Sequence, residues 1–581
     1  MPRRHSPRLL LFVLGLALGA TPLAAQDTRR DSLTIARLLD SLPLRAKVAQ
    51  LVMPWVAGSY AAFDDSAFAV AQRWVDSLQL GGIIVSIGSP VDVAVKLNRL
   101  QQRSPLPLLV AADLESGASF RLNGATPFPT NMGVAATGSD QDAYDIGRIT
   151  AIEGRAVGIH LAFAPDADVN NNPANPVINT RSFGEDPAMV GRLVAASIRG
   201  LQDNGMLATA KHFPGHGDTE TDSHLALPVI SAQWSRLDSI ELVPFRAAVD
   251  AGVAMVMSAH LAMKRVGSDP KAPATLDPAI LTGVLRDSLK FDGMVVTDAL
   301  DMAGVVSAYG GAEAVVRAFL AGSDLLLMPA DPAAAVNAMV DAVESGRISY
   351  ERLDRSVRRL LWTKLRLGLF TRRTVPLDSV SEIVGSSRFL PTARDIAQRS
   401  VVLVSDSGGA IDSLRAGPRK IALVTYGEEN AYTVGNTLLR QLRAAGHTVT
   451  LFRLFGASGP ASLDSVRSLV RKTPYTVFAL SVKVTTSKGT IALPEHIAKL
   501  IDLLGTRPRT AVVSIGSPYV ILQTPRIRSY LIAWSASPLM EWAAARALAG
   551  QSAITGHLPV SLPPKYPLGH GLMRPLATST Q

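Results

Sequence analysis

The sequence has no cysteine among its 581 residues, and only 18% of them are charged. The lack of cysteine excludes a disulfide scaffold, a thiolate metal site and a cysteine nucleophile. The low charge, combined with 47% hydrophobic residues, excludes an intrinsically disordered chain. Because a domain usually spans roughly one to two hundred residues, this length predicts at least two domains.

Long hydrophobic runs are also missing, since no segment beyond the N terminus reaches the ~20 uninterrupted apolar residues of a membrane-spanning helix. The short run Leu9–Leu18 follows three arginines and precedes the small-residue site Leu23–Ala25. This pattern is typical of a secretory signal peptide. We therefore expect residues 1–25 to be cleaved, the mature protein to be periplasmic or secreted, and no stable insertion into a membrane.

Dense lysine or arginine tracts are absent as well. The formal net charge of +10 falls to +7 when residues 1–25, which hold three arginines and no acid, are removed. A surplus of this size spread along the chain predicts a mildly basic surface. We expect no nucleic-acid partner.

In the first part of the chain, short apolar runs rich in β-forming residues alternate with longer helical patterns. Continuous apolar strands are typical of a parallel sheet that helices cover on both faces. Eight such units predict a (β/α)8 TIM-type barrel over residues 26–370. The predicted strands are Leu51–Val56, Gly82–Ile87, Leu108–Asp113, Leu161–Pro165, Leu207–His212, Ala254–His260, Met294–Asp298 and Asp324–Pro329.

A second, smaller α/β domain is predicted after a linker at residues 371–394, where proline, glycine and serine interrupt the pattern. Residues 395–581 alternate six strand patterns with helices, which predicts an open-sheet α/β sandwich. The six are Val401–Val404, Ile421–Val424, Val449–Phe452, Val477–Leu480, Ala511–Ile515 and Leu531–Trp534. This domain has no GxGxxG or P-loop pattern, so we assign it no nucleotide. We expect it to be a structural partner of the barrel; one wall of a substrate cleft, or support for a dimer, are the alternatives.

Polar residues cluster where three predicted barrel strands end, and the loops at that face of a barrel converge on one pocket. Asp113 and Arg121 follow strand three, and Asp298 ends strand seven. The segment KHFPGHGDTETDSH, from Lys211 to His224, follows strand five and holds three histidines and three acids. In a turn, Asp222 can hold one nitrogen of the His224 ring and leave the other free to exchange a proton with a substrate. The alternative is a solvated polar loop that caps a helix.

Asp298 has several possible roles: nucleophile, substrate hydrogen bond, metal ligand or N-cap of a following helix. A zinc site could draw on the histidines and acids of the loop, namely His212, His216, Asp218, Asp222 and His224. Metal-dependent hydrolases on this barrel commonly carry a His-x-His pair at the end of strand one. That strand ends here in Met53–Val56, without a ligand. We therefore predict no metal and no cofactor, with a metal-dependent hydrolase as the alternative.

The segment from Lys211 to His224 resembles the hallmark loop of the β-N-acetylglucosaminidase branch of family 3 glycoside hydrolases. Four further segments are similar to that family: DVNNNPANPVINTRSFGEDP from Asp168, VVTDALDM from Val295, RLGLF from Arg366 and LPVSLPPKYPLGHGL from Leu558. The family usually has D-x-E-G-G-R-V-x-R after strand three, where this chain has Ser116 for glycine and Ala118 for arginine. This departure affects the shape of the loop but leaves Asp113 and Arg121 in place.

The resemblance implies that Asp298 is the catalytic nucleophile and that His224, oriented by Asp222, is the general acid/base. It implies further that five residues bind the sugar: Asp113, Arg121, Arg181, Lys211 and His212. The implied activity is that of a retaining exo-β-N-acetylglucosaminidase acting on a small-molecule or oligosaccharide substrate derived from peptidoglycan or chitin. The alternatives are a β-glucosidase or phosphorylase of the same family and a non-catalytic sugar-binding protein. The sequence decides neither between water and phosphate as acceptor nor on the oligomeric state.

Overall fold

The computed structural model describes residues 21–577, apart from residues 63, 224, 430 and 486–488. Most of the predicted signal peptide, residues 1–20, therefore lies outside the described residues. The helix Thr21–Ser41 begins within the last residues of that prediction. Among the helices that are described, none is long and apolar enough to cross a membrane.

Eight parallel strands close into a barrel, as the sequence predicts. Pro54 divides the first, β1, into the pieces Val52–Met53 and Trp55–Val56. The others, β2 to β8, are Gly82–Val85, Leu109–Ala112, Leu161–Ala162, Leu207–Phe213, Met255–Ser258, Met294–Val296 and Leu326–Leu327. From β1 to β7, each strand pairs with the next one along the chain. A bridge from Val296 to Leu325 joins β7 to β8, and β8 pairs with the first piece of β1, which completes the circle.

Helices surround the barrel between consecutive strands. Several begin at a serine or aspartate whose side chain accepts a backbone N–H of the first turn, as Ser89, Asp186 and Ser349 do. The principal helices are Ser66–Arg73 with its continuation Trp74–Leu78, Pro90–Arg103, Asp140–Ala156, Pro187–Gln202, Leu242–Asp250, Ala279–Ser288, Gly311–Ala321, Pro332–Glu344 and Tyr350–Arg366.

The interior of the barrel is filled by apolar side chains that belong to one buried cluster. Its members include Val52, Leu109, Leu161, Met255 and Met294, all of them almost wholly inaccessible to solvent. Packed side chains therefore close the barrel below its carboxyl-terminal face, as is usual for this fold.

The second domain contains a six-stranded sheet, which agrees with the predicted open-sheet α/β sandwich. Its strands, β9 to β14, are Val402–Asp406, Lys420–Tyr426, Thr448–Leu454, Tyr475–Leu480, Thr510–Ser514 and Ser529–Ile532. They lie in the order β9-β14-β13-β12-β10-β11, and only β9 runs antiparallel to its neighbour. The helices of this domain are Leu390–Arg399, Ala410–Arg415, Asn436–Ala444, Pro460–Lys472, Glu495–Leu504, Val520–Gln523 and Pro538–Leu548.

The two domains are packed firmly against each other. Arg399 donates two hydrogen bonds of 2.7 Å to the carboxylate of Asp142 on a barrel helix. One continuous apolar cluster runs from the barrel helices into the second sheet. Within the predicted linker, Val380 and Phe389 are buried in that cluster. The contact fixes the second sheet relative to the carboxyl ends of the barrel strands; the exact domain boundaries stay predictions.

Candidate active site

A cavity of about 760 Å³ lies at the carboxyl-terminal face of the barrel. Its floor includes apolar side chains of the barrel interior, such as Phe163 and Met257. Seven of the eight residues that the sequence predicts for the site line this one cavity: Asp113, Arg121, Arg181, Lys211, His212, Asp222 and Asp298. The eighth, His224, lies outside the described residues. The structure thus brings the described candidates together, while their roles stay predictions.

Lys211 and His212 are consecutive in β5, yet both side chains reach the cavity. Side chains alternate between the two faces of a regular strand. Here the pairing of β5 with β6 shifts register between Ala210 and Phe213. Such an irregularity re-aims side chains, and it is common next to functional sites. It explains how two successive polar residues face the same space.

Three cations and two carboxylates form a network on one side of the cavity. Asp113 accepts hydrogen bonds from Arg121 at 2.9 Å and from Lys211 at 3.2 Å. Glu115 accepts from Lys211 at 2.7 Å and from two nitrogens of Arg181 at 2.8 and 2.9 Å. Asp113 and all three cations are predicted from the sequence, whereas Glu115 is not. Glu115 and Arg181 are far apart in the sequence, so only the fold reveals that they pair.

The ionic groups of this network are held in their charged forms. Burial alone would raise the pKa of Glu115, but the charges of Arg181 and Lys211 outweigh it and hold the pKa well below its usual range. Burial opposes the charge of Lys211, yet Glu115 and Asp113 raise its pKa above the usual value. At neutral pH the cavity therefore presents fixed charges to a ligand.

Asp168 contacts two histidines, His212 near the end of β5 and His216 in the loop that follows. One oxygen accepts the backbone N–H groups of His212 and His216, at 3.2 and 2.7 Å. The other lies 2.8 Å from Nδ1 of His212. Burial lowers the pKa of His212, but the charge of Asp168 more than compensates, so the pKa is raised. Burial and the neighbouring His212 lower the pKa of His216 to about 4, which keeps that imidazole neutral at pH 7.

One group of residues has the composition of a metal site. Ligand atoms of Asp166, Asp168 and His212 all lie within 4.8 Å of one another. However, Arg181 already lies 3.1 Å from Asp166, and both oxygens of Asp168 accept hydrogen bonds from the loop. Burial and the nearby Glu115 raise the pKa of Asp166 to about 7. The donor set is better suited to fixing Arg181 and His212 than to holding a dication.

Asp298 lies two residues beyond the end of β7, and it lines the cavity. The next helix begins at Ala303, so the alternative in which Asp298 is the N-cap of a following helix is wrong. Burial would raise the pKa of Asp298, but His260, His212 and a 2.8 Å hydrogen bond from the Ala299 N–H lower it. The carboxylate is therefore ionised at neutral pH, as a nucleophile must be.

The loop that carries Asp222 is packed against the barrel. Asp222 and His216 are each at most 3% exposed, whereas Glu220 and Thr221 are exposed, so the loop is solvated only in part. The Asn175 amide donates to the carbonyls of His216 and Gly217, at 2.8 and 2.9 Å. A Cβ at Gly217 would lie 1.7 Å from the carbonyl oxygen of Val169, so only glycine fits this approach. The carbonyl of Asp222 accepts the backbone N–H groups of Leu225 and Ala226.

The second domain supplies another wall of the cavity. The residues it contributes follow β12, β13 and β14: Ser481, Lys483, Val484, Thr485, Ile515, Gly516, Trp534, Ser535 and Ala536. Nearby, the Asn170 amide donates to the Tyr519 hydroxyl at 2.9 Å across the domain boundary. The sequence predicts a structural partner of the barrel; the structure supports the alternative, in which this domain forms one wall of the cleft. No motif in the sequence marks these residues, because their proximity arises only from domain packing.

Replacing Glu115 by glutamine is expected to lower the free energy of unfolding by about 3 kcal/mol, because it leaves two buried cations with one negative charge fewer. Glu313 is a matched control, since it also binds two arginines, Arg317 and Arg347, but at the surface. Glu313→Gln is expected to cost less than about 1 kcal/mol. Urea denaturation at pH 7 measures both free energies. Equal losses would show that the buried network contributes no more to stability than the surface ion pairs.

Comparisons with known proteins agree with this geometry. Residues 43–363 match the family described as "Glycosyl hydrolase family 3 N terminal domain". A beta-N-acetylglucosaminidase/beta-glucosidase from Cellulomonas fimi is 32% identical over 508 residues, which cover 83% of this chain and 88% of the relative. Beta-hexosaminidase A from Pseudoalteromonas piscicida is 33% identical over 359 residues, covering 58% of this chain and 59% of the relative.

Solved structures show the same two-domain arrangement. A family 3 beta-N-acetylglucosaminidase from Paenibacillus sp. str. FPU-7 superposes with a TM-score of 0.80 at 35% identity, covering 90% of this chain and 99% of the other. The beta-glucoside phosphorylase BglX, bound to 2FGlc, superposes with a TM-score of 0.82 at 25% identity, covering 92% and 97%. The family match, the sequence identity over most of the chain and the shared architecture show that the chain belongs to glycosyl hydrolase family 3 and is a glycoside hydrolase.

Proposed function

We propose that the chain is a retaining exo-β-N-acetylglucosaminidase that hydrolyses terminal β-N-acetylhexosaminides derived from peptidoglycan or chitin. The observation that carries the proposal is the ionised Asp298, which shares one cavity with Asp222 and the charged network around Lys211. The names of the relatives from Cellulomonas fimi and Pseudoalteromonas piscicida support this substrate class. The N-terminal pattern of residues 1–25 supports export to the periplasm or the medium.

In the first step, a carboxylate oxygen of Asp298 attacks the anomeric carbon of the terminal sugar. A carbon–oxygen bond forms to Asp298, the bond to the departing oxygen breaks, and His224 protonates that oxygen. In the second step, water attacks the same carbon, His224 takes the proton of the water, and Asp298 leaves as a carboxylate. Two inversions give net retention of configuration.

The surrounding residues prepare both steps. Asp113, Lys211 and Arg181 hold fixed charges at the side of the cavity, where they can bind sugar hydroxyls without rearranging. Asp222 orients the His224 ring and stabilises its charged form. A neutral imidazole in the second step avoids a second negative charge beside Asp298.

Phosphorolysis is the second candidate, favoured by the likeness to a beta-glucoside phosphorylase. In that reaction, phosphate instead of water attacks the glycosyl-enzyme, and the product is a sugar phosphate. A neutral histidine would oppose the approach of an anion less than a carboxylate would.

The test is hydrolysis of an aryl β-N-acetylglucosaminide by the mature protein, with EDTA, with phosphate and beside the matching β-glucoside. We expect turnover that EDTA leaves intact, a preference for the N-acetylated sugar and free N-acetylglucosamine as product. A sugar phosphate as main product would establish the phosphorylase instead. A preference for the plain glucoside would establish a β-glucosidase, and loss of activity with EDTA would establish a metal-dependent hydrolase. Sugar binding without any turnover would overturn catalysis altogether.

A further inference from the structure

Asp298 lies in a segment that is neither strand nor helix. The strand β7 ends two residues before it, and the next helix begins only at Ala303. On one side, β8 holds this segment, because the N–H of Leu300 donates to the carbonyl of Leu327 at 2.9 Å. Outside regular structure, the direction of a side chain depends on such individual contacts. The contacts on the other side of the segment therefore contribute to how the carboxylate of Asp298 is aimed.

His260 holds that other side. Its Nε2 lies 2.8 Å from the carbonyl oxygen of Ala299, the residue after Asp298. A carbonyl oxygen only accepts hydrogen bonds, so Nε2 carries a proton and donates it to Ala299. The N–H of Ala299 in turn donates to a carboxylate oxygen of Asp298 at 2.8 Å. Two hydrogen bonds in succession thus connect His260 to the carboxylate.

The ring of His260 is itself held in place. It is fully buried and lies two residues beyond the end of β6. Its other nitrogen, Nδ1, is 2.9 Å from the hydroxyl oxygen of Thr275, which also lies 3.0 Å from the carbonyl oxygen of Ala259. The Ser258 hydroxyl donates to the same Thr275 oxygen at 3.0 Å. Because both ring nitrogens contact partners within the barrel, the orientation of the ring does not depend on a bound sugar.

His260 also acts on the charge of Asp298. Burial raises the pKa of that carboxyl, and the positive charge of His260 is the strongest of the influences that lower it. Asp298 and Ala299 line the cavity, whereas His260 does not. An effect of His260 on the reaction would therefore pass through Asp298, without contact with the sugar.

We propose that His260 is a positioning residue for the nucleophile: its Nε2–H fixes the backbone that follows Asp298 and so aims the carboxylate at the anomeric carbon of the terminal sugar. The inference rests on the proposed function and deepens it, because it adds a residue that controls the attack from outside the cavity. A shift of about 1 Å in a reacting group can lower a rate by about 10²-fold. Loss of the contact should therefore slow the attack and leave the binding of the sugar unchanged.

The test compares two variants that carry the same amide group on side chains of different length. His260→Asn places the amide near Thr275 but is too short to reach the carbonyl of Ala299, whereas His260→Gln can donate to it. The substrate is a dinitrophenyl β-N-acetylglucosaminide, whose leaving group needs no proton, so kcat/KM reports the attack of Asp298. We expect kcat/KM to fall by about 10- to 100-fold in His260→Asn and by less than about threefold in His260→Gln. The inhibition constant of free N-acetylglucosamine should stay unchanged in both variants.

His160→Asn is the matched control. This histidine is also buried, and its ring accepts the backbone N–H of Val110 at 3.1 Å, but it directly precedes β4, at the opposite end of the barrel from Asp298. The variant is expected to keep its kcat/KM, whatever it loses in melting temperature.

Full activity in His260→Asn, or equal losses in the two His260 variants, would overturn the inference. Weaker inhibition by N-acetylglucosamine that matches the loss of rate would also overturn it, because the residue would then act on binding. If His260→Asn does not fold, Thr275→Val decides: it releases Nδ1 and is expected to lower kcat/KM by about three- to tenfold, and an unchanged value would overturn the inference. No cleavage by the unmodified protein would instead overturn the proposed function.

Discussion

Replacing Asp298 by asparagine is expected to lower kcat by at least about 10⁴-fold, because the amide cannot form the glycosyl-enzyme. The side chain keeps its size, so the cavity should remain intact and the melting temperature should change little. Steady-state rates on an aryl β-N-acetylglucosaminide measure the effect. Asp292→Asn is the matched control: it changes an exposed aspartate just before the same strand, outside the cavity, and should retain full activity.

The same prediction has a structural readout. A fluorinated substrate that forms the glycosyl-enzyme quickly but hydrolyses slowly should increase the mass of the protein by one sugar residue. Digestion should locate that sugar on the peptide containing Asp298, and the Asp298→Asn variant should remain unlabelled. A label on another carboxylate would contradict the assignment of the nucleophile. Nuclear magnetic resonance would identify the anomer that is released first, and an α-product would contradict retention.

Replacing His224 by alanine is expected to lower kcat by about 10²- to 10⁴-fold on substrates with a poor leaving group, which need protonation as the bond breaks. On a dinitrophenyl glycoside, whose leaving group departs without a proton, the first step should be nearly normal. Comparing alkyl, nitrophenyl and dinitrophenyl glycosides measures this dependence. His496→Ala, at an exposed histidine of the second domain, provides the control and should show no dependence on the leaving group.

Asp222→Asn separates orientation from proton transfer at the same position. The amide keeps a hydrogen-bond acceptor but removes the charge that stabilises a protonated imidazole. Because His224 must be protonated to act as the acid of the first step, we expect the alkaline limb of kcat/KM to move to lower pH, with a smaller loss of kcat than in His224→Ala. Equal losses and an unchanged pH profile would show that Asp222 only supports the loop. Because Asp222 is buried, its replacement could also unfold the protein, and circular dichroism distinguishes unfolding from a loss of loop support.

Much of the barrel could be predicted because its strands are buried on both faces and therefore appear in the sequence as uninterrupted apolar runs. Gly82–Val85 and Leu109–Ala112 are such runs, and each lies within its predicted segment. The first strand shows a limit of this approach, since Pro54 divides it in a way that no apolar pattern reveals. The candidate residues are predictable for a related reason, because a polar side chain at the end of an apolar strand stands out in the sequence.

The parts of the site that could not be predicted depend on contacts between distant segments. Glu115 acquires its importance from Arg181 and Lys211, which no local pattern connects to it. Lys483 reaches the cavity only because the second domain packs against the barrel. Hydrophobic periodicity determines elements and layers, whereas the pairing of charges across layers depends on the tertiary structure.

The filled interior of the barrel also limits how the protein can meet a polymer. Because apolar side chains such as Phe163 and Met257 close the cavity from below, a polysaccharide cannot thread through the barrel. An exo-acting enzyme of the proposed kind takes only a terminal residue at Asp298. On the proposed function, the effective substrate concentration is the concentration of non-reducing ends. For a fixed mass of polymer that concentration is inversely proportional to chain length. Cleavage of long chains at internal bonds, by another enzyme, would create new ends and would then limit the rate at which long chains are consumed.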